Sequence, residues 1–251
     1  MAGKRAPPAP RSPSSEVSQV AQNYLLILFM MQEEHGTVTM SRLAEQLASS
    51  STTEHMGTSL ASVAGMIRRM KRDGLVNILP NKEIVFTDQG RRMGEDQMRK
   101  HQLAECLLVK FLGIELHKVH AEAHRLEHGI SPEVETRMIE RLGNPQRCPF
   151  GHAIPGSGYK IPGDVTGLNK VKTGRTVVVE RIPEEDSKLV EYLVTSGLVP
   201  GATINVADVA DYRGTVTINV AGKEVVVGLG VAPRILVHPP RSANGIGAVR
   251  Q

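Results

Sequence analysis

Residues 98–130, MRKHQLAECLLVKFLGIELHKVHAEAHRLEHGI, carry His101, Glu105, His117, His120, His124, Glu127 and His128 in two stretches of helical pattern. Successive residues of an α-helix turn by about 100°. A helix over 115–128 would therefore place His120, His124, Glu127 and His128 on one face, within an arc of about 100°. His101 and Glu105 are four apart and share a face of the preceding helix, predicted over 87–112. Imidazole nitrogens and carboxylate oxygens converging on one side of a helix pair suit a divalent transition metal. The plainer reading of the four later histidines is a solvated stripe. The carboxylates that accompany them favour a ligand cluster, with His117, in the first turn, expected to stand aside.

The residues before this stretch follow a recognisable order. Helical spacing of apolar residues predicts helices over 16–34, 39–48 and 58–72. Short strands follow at 75–78 and 83–86, around the turn Leu79-Pro80-Asn81-Lys82. Helix, helix, helix, β-hairpin is the order of a winged helix-turn-helix, whose third helix enters a major groove. That helix has Ser59 and Ser62 early, suited to base or phosphate contact, and Arg68, Arg69, Lys71 and Arg72 late, suited to phosphates. Cations near a helix C-terminus are also favoured by its dipole, so the element order rather than the charge makes the case for DNA.

Behind the ligand stretch, a helix is predicted over 131–141, with Ser131 as cap and Pro132 at its first position. Residues 148–173 are Gly- and Pro-rich and read as a linker. Cys148 and His152 within them are four apart, but no second pair lies nearby, and a linker turn is expected. Five β-rich segments at 176–180, 203–206, 215–220, 223–227 and 234–237, with a helix over 187–196, predict a small SH3-like barrel over 174–238. The expected architecture is thus mainly α with a small β part. It comprises a tail (1–15), a winged helix-turn-helix (16–87), a helical metal-binding domain (88–147), the linker, the barrel and a second tail (239–251).

Composition narrows the class. Aromatic residues make up 3% and Trp is absent, so the cores must be aliphatic. The formal charge is +4, yet Lys4, Arg5, Arg11, Arg241 and Arg250 sit in the tails. The middle of the chain is near neutral, and any nucleic-acid contact has to come from a local patch. Two cysteines, Cys106 and Cys148, make no disulfide framework and fit a reducing compartment. The Pro/Ser-rich start has no apolar core of a secretory signal, and the longest apolar run, 24–31, is too short to span a bilayer. A cytoplasmic protein is expected, with no membrane partner and no small organic substrate.

The motifs MKRDGLV (70–76), MRKHQLAECLL (98–108), KVHAEAHRLEHGIS (118–131) and CPFGHAIPG (148–156) resemble the diphtheria-toxin-repressor family of metal-dependent transcriptional regulators, which includes iron- and manganese-dependent repressors. The resemblance runs over about 20–237. It implies a winged helix-turn-helix, a helical metal-binding and dimerisation domain, and a C-terminal SH3-like (FeoA-like) domain. It also implies a homodimer that binds a pseudo-palindromic double-stranded DNA operator when loaded with metal. By position, one metal site maps to His101, Glu105 and His120 with oxygen ligands Glu180 and Glu184 from the C-terminal domain. The regulatory site maps to Asn23, His124, Glu127 and His128. Iron-responsive members have Met and Cys at the positions of Asn23 and His124, and manganese-responsive members have Asp and Glu, so this chain follows neither pattern.

The donor types bear on the metal. A set without thiolate or thioether suits Mn²⁺ first and Fe²⁺ close behind, while Zn²⁺ would bind more tightly by the usual affinity order. Two other classes stay open. His124-Arg125-Leu126-Glu127-His128 matches H-x-x-E-H, in which His124 and His128 would hold Zn²⁺ and Glu127 would act as general base of a hydrolase. A metal-buffering or adaptor protein is the third. Only the regulator accounts for the winged helix, the ligands and the barrel together.

Overall fold

The computed structural model describes residues 17–49 and 56–241. Helices α1 (Gln19–His35), α2 (Met40–Ser49) and α3 (Leu60–Arg72) precede a hairpin of β1 (Val76–Ile78) and β2 (Ile84–Phe86). This is a winged helix-turn-helix. Ser18 caps α1, accepting from the Ala21 amide, and Ser59 caps α3, accepting from the Ser62 amide. Tyr24, Leu28, Leu43, Leu47, Val63, Ile67, Met70, Val76 and Ile84 form the core of this unit. Most of the polar loop expected over 49–57 lies outside the described residues.

Helix α4 (Asp88–Lys110) starts against the wing. Thr87 caps it through the Gly90 amide at 3.0 Å and donates its hydroxyl to the Gly74 carbonyl at 2.6 Å. The approach is so close that a Cβ on Gly90 would lie 1.8 Å from the Leu75 carbonyl oxygen. Helix α5 (Leu116–Leu126) follows, and α6 (Pro132–Leu142) is capped by Ser131 and closed by Gly143 in the left-handed region. The helix expected to reach His128 stops earlier: Glu127–Gly129 tighten into a 3₁₀ turn. Pro132 cannot continue the preceding helix, because its ring would clash with the carbonyl four residues back, and Ser131 caps a new helix instead.

The C-terminal unit is a six-stranded antiparallel sheet in the order β3-β8-β4-β5-β6-β7. Its strands are β3 (Thr166–Gly167), β4 (Thr176–Arg181), β5 (Thr203–Ala210), β6 (Thr215–Val220), β7 (Lys223–Gly228) and β8 (Leu236–His238), with α7 (Ser187–Thr195) between β4 and β5. The two-residue β3 has no apolar alternation and escaped the sequence reading. Residues 148–162 are no free spacer. Cys148, Phe150 and Ile154 are buried in the same core as Leu103, Val119, Val179, Ile204 and Val237, so the helical and β units share one interior. Among the described residues no helix is long and apolar enough to cross a membrane.

Candidate metal centre and nucleic-acid interface

Helices α4 and α5 pack side by side and turn His101, His120 and His124 towards each other. The ring centroids stand 4.9 Å (His101–His120), 4.6 Å (His101–His124) and 4.7 Å (His120–His124) apart. His101 is the centre of this group. Its Nε2 lies 3.1 Å from His120 Nδ1 and 3.1 Å from Glu105 Oε1, while its Nδ1 lies 2.6 Å from Glu127 Oε2. Glu184, on the loop after β4, brings Oε1 to 3.8 Å from His120 Nδ1. One ligand atom each from His101, Glu105, His120 and Glu184 fits within 4.8 Å, and the same holds for His101, His120 and His124.

The carboxylates here are short of partners. Glu105, Glu127 and Glu184 have fully buried side chains. Both oxygens of Glu105 and Glu184, and one of Glu127, accept no hydrogen bond. His101 offsets part of the charge of Glu105 and Glu127, at 3.1 and 2.6 Å, whereas Glu184 stands 3.5 Å from His152 and 3.8 Å from His120, and burying a carboxylate without a close partner costs several kcal/mol. A divalent cation is the group that such oxygens and imidazoles fit.

The ionisation states show how far the site depends on compensation. Burial alone would push the His101 imidazole towards neutrality, but Glu105 and Glu127 outweigh it and raise its pKa well above the usual value. Burial raises Glu105, but His101 and His120 more than reverse this and hold it at about 2. His124 has weaker carboxylate help, and burial lowers it to about 4. Glu184 is pushed well up by burial and by the charge of Glu105. The buried Cys148 thiol is likewise raised by burial, Glu105 and Glu184, and remains protonated.

The second expected group gathers only in part. Glu127 Oε1 lies 3.5 Å from His124 Nδ1 and 3.6 Å from His128 Nε2. His128 Nδ1 is 2.9 Å from Gln22 Oε1 on α1, a partner that no residue spacing singles out. Asn23, next along α1, has a buried Oδ1 with no hydrogen-bond partner. Glu180 needs correcting. It lies outside the cluster, 3.1 Å from Arg147 and 3.6 Å from His238, and accepts from the Tyr159 hydroxyl. A register shift between Val179 and Arg181 interrupts the pairing of β4 with β8 around it, and Glu184 is the carboxylate that this unit turns to the histidines. His117 is outside both groups, 4.0 Å from Glu115.

Helix α3 presents its other side to solvent. Ser59, Ser62, Arg68, Arg69 and Lys71 are all exposed. The hydroxyls of Ser59 and Ser62 are 2.8 Å apart and bond to each other. Arg69 is 3.7 Å from Asp73, and both side chains are more than half exposed, so this pair competes weakly with a phosphate.

A winged helix whose first helix leans on a buried imidazole–carboxylate cluster defines a DNA-binding protein under metal control. Comparison with known proteins agrees over residues 16–239, apart from short gaps. Residues 16–84 match the N-terminal DNA-binding domain of iron-dependent repressors, 87–156 their metal-binding and dimerisation domain, and 166–239 the FeoA domain. The iron-dependent repressor IdeR of Mycobacterium leprae is 34% identical over 223 residues, 84% of this chain and 92% of that protein. The diphtheria toxin repressor of Corynebacterium diphtheriae is 30% identical over 221 residues, again 84% of this chain and 92% of that protein. A manganese-dependent transcriptional repressor solved with manganese superposes with a TM-score of 0.77 at 30% identity, covering 88% of this chain and 100% of the other. The chain belongs to the iron-dependent repressor family, the diphtheria toxin repressor and its relatives.

The family consists of metal-dependent transcriptional repressors, not enzymes, and the hydrolase reading of H-x-x-E-H is overturned. The geometry gives the reason. Glu127 is 1% exposed, so its carboxylate is shut off from bulk water and from any substrate cleft.

Proposed function

We propose that the protein is a cytoplasmic repressor of metal-uptake genes that binds a pseudo-palindromic operator as a homodimer when loaded with Mn²⁺ or Fe²⁺. The observation that carries this is the convergence of His101, Glu105, His120 and Glu184 with carboxylate oxygens that have no hydrogen bond. These four form one centre. Asn23, His124, Glu127 and His128 form the regulatory one, and Gln22 joins it by positioning His128. A bound cation supplies the positive charge that lets these groups stay together in the interior.

The chain's own residues carry the signal onwards. Gln22 ties the start of α1 to His128 in the turn that also holds Glu127, and a cation shared with Asn23 would add a second tie between the DNA-binding unit and α4 and α5. Two recognition helices in a dimer then have one defined spacing, suited to successive major grooves. The DNA-competent arrangement binds metal more tightly, and by linkage DNA must tighten metal binding in return. The nitrogen and oxygen donors favour Mn²⁺ or Fe²⁺, with Zn²⁺ the competitor by affinity. The test is binding of metal-stripped protein to its own upstream promoter, titrated with Mn²⁺, anaerobic Fe²⁺ and Zn²⁺. Salt-sensitive binding that needs metal supports the reading. Binding that ignores metal, there and at metal-transporter promoters, rejects it.

Ser59, Ser62, Arg68, Arg69 and Lys71 form the proposed DNA face. Replacing Arg68 and Arg69 by Ala should weaken operator binding. It should also reduce the slope of log K against log salt by about one unit per lost phosphate contact. Metal affinity, read by chelator competition, should be unchanged. An unaltered slope would place the phosphates elsewhere.

Metal uptake should also release protons. The raised pKa of His101 means that its charged form stabilises the metal-free fold. That contribution is complete below the ordinary imidazole range and is lost as pH rises through the raised value. Ligation needs the neutral ring, so affinity should climb with pH across neutrality, and indicator-dye titration should detect about one proton released by this group. Absence of release near neutral pH would show that His101 is already neutral.

A further inference from the structure

Bases are read in the major groove by particular side chains: guanine by Arg or Lys, adenine by Asn or Gln, cytosine by Asp or Glu, and thymine by an apolar group against its C5 methyl. In a helix-turn-helix the N-terminal residues of the recognition helix are the ones that reach base edges. Here that stretch is TSLASVAGMI (58–67), which holds no cationic, carboxylate or amide side chain. The first such group on α3 is Arg68, about 12 Å further along the axis than Leu60 at 1.5 Å per residue. Ser and Thr hydroxyls bond to more than one kind of base and discriminate little. The Ser59 and Ser62 hydroxyls also use one of their two O–H groups on each other, at 2.8 Å.

What the stretch does present is an apolar group. By spacing, Leu60 continues the buried row of Val63, Ile67 and Met70, yet as the first residue of α3 it overhangs the end of that core and is 54% exposed. Leu60, Ala61, Ala64, Gly65 and Arg68 fall within an arc of about 140°. Leu60 is the only large apolar side chain among them, and its neighbours Ala61 and Gly65 are exposed and small enough to let a base edge approach. The turn that carries Leu60 is fixed from behind. Met56 is buried in the core of the DNA-binding unit, and the Tyr24 hydroxyl donates to the Gly57 carbonyl at 3.3 Å. A Cβ on Gly57 would lie 2.5 Å from that of Ser62, so the entering chain lies flat against the helix. Residues 16–84 match a DNA-binding domain, which puts DNA on this unit independently of the face itself.

We propose that Leu60 reads thymine: its side chain packs on C5 methyl groups in the major groove, and each operator half-site carries thymine where the first turn of α3 enters. The inference rests on the regulator reading above and names the bases that its DNA face selects. Arg68, Arg69 and Lys71 then hold phosphates and set the register, while Leu60 makes the choice of base. A methyl group withdrawn from water against Leu60 is worth about fourfold in affinity.

The test uses the full chain loaded with Mn²⁺ or, anaerobically, Fe²⁺. Bound sites are selected from randomised duplex DNA, and each thymine of the selected site is then replaced by deoxyuridine, which lacks only the methyl. At one or two thymines per half-site this replacement should weaken wild-type binding by about fourfold each. Leu60→Ala should bind the thymine and uracil duplexes equally, and Leu60→Met, which keeps an apolar tip, should restore the difference. Selected half-sites without thymine overturn the proposal. So does a uracil effect that persists unchanged in Leu60→Ala, or no uracil effect in the wild type, because the methyl is then read by another group or by none. If neither metal enriches any sequence, the regulator reading itself fails and this inference falls with it. Leu60 is exposed, so the variants should melt at the wild-type temperature, and binding differences between them report the contact rather than the fold.

Discussion

Glu127→Ala is expected to abolish metal-dependent DNA binding while the protein stays folded. Glu127 faces both ligand groups. Its Oε2 holds His101 Nδ1 at 2.6 Å, and its Oε1 lies within 3.6 Å of His124 and His128. Removing it deletes a proposed ligand of the regulatory group. It also frees the His101 ring, whose orientation sets which nitrogen is available to the other group. Loss of such a partner alone costs about 10–100-fold in metal affinity, and loss of a ligand with it should exceed that. The metal concentration for half-maximal operator binding should therefore rise by about 100-fold or more. The fold should persist, because truncating a buried carboxylate removes its desolvation cost as well as its attraction, and Glu105 still faces His101. Operator titrations with Mn²⁺, alongside a thermal melt of the metal-free variant, check both halves. Wild-type metal dependence in a folded Glu127→Ala protein would remove Glu127 from the mechanism.

Gly90→Ala should be the most damaging of the conservative glycine changes in α4. Alanine is the better helix former by about 1 kcal/mol, yet its Cβ would lie 1.8 Å from the Leu75 carbonyl oxygen. That neighbour is backbone, fixed by the Thr87 amide at 3.1 Å, so no rotamer change relieves the overlap. A net loss of about 2–3 kcal/mol is expected, measured as a lower urea midpoint with an unchanged slope. Gly65, inside α3, supplies the contrast. Nothing lies within 4 Å of its Cβ position, and Gly65→Ala should stabilise by about 0.4–1 kcal/mol. Equal effects at the two sites would mean that α4 does not pack on the wing as closely as described.

Residue spacing revealed the framework because the signals were local. The three-helix-and-hairpin order and the i, i+4 spacing of His101 and Glu105 both lie within short windows, where periodicity is informative. What stayed hidden depended on distant chain. Nothing in the sequence around Glu180 and Glu184 told which would face the histidines, since a register shift in β4 decides it. Gln22 had no helical pattern to distinguish it until the turn at Glu127–Gly129 placed His128 beside it. Residues 148–162 looked like a linker because their composition is Gly- and Pro-rich. The same glycines are what permit the close approach to β4, and Phe150 is fully buried there.

Helix α1 gives this architecture its mechanical character. Every residue from Tyr24 to Met31 is buried. One side fills the core of the DNA-binding unit, while Leu26, Phe29 and Met30 pack with Met98 of α4. A helix enclosed on all sides cannot bend into solvent or slip along a wet surface. From Gln22 to Met31 it spans about 14 Å at 1.5 Å per residue, and near its far end Glu34 lies against Glu185 of the β unit, its pKa raised to about 7 by burial and by that neighbour. Such an element behaves as a rigid lever with both ends gripped. Its buried side shares one core with Leu43 and Leu47 of α2 and Val63 and Ile67 of α3, so the packing that seats α3 is set directly against α1.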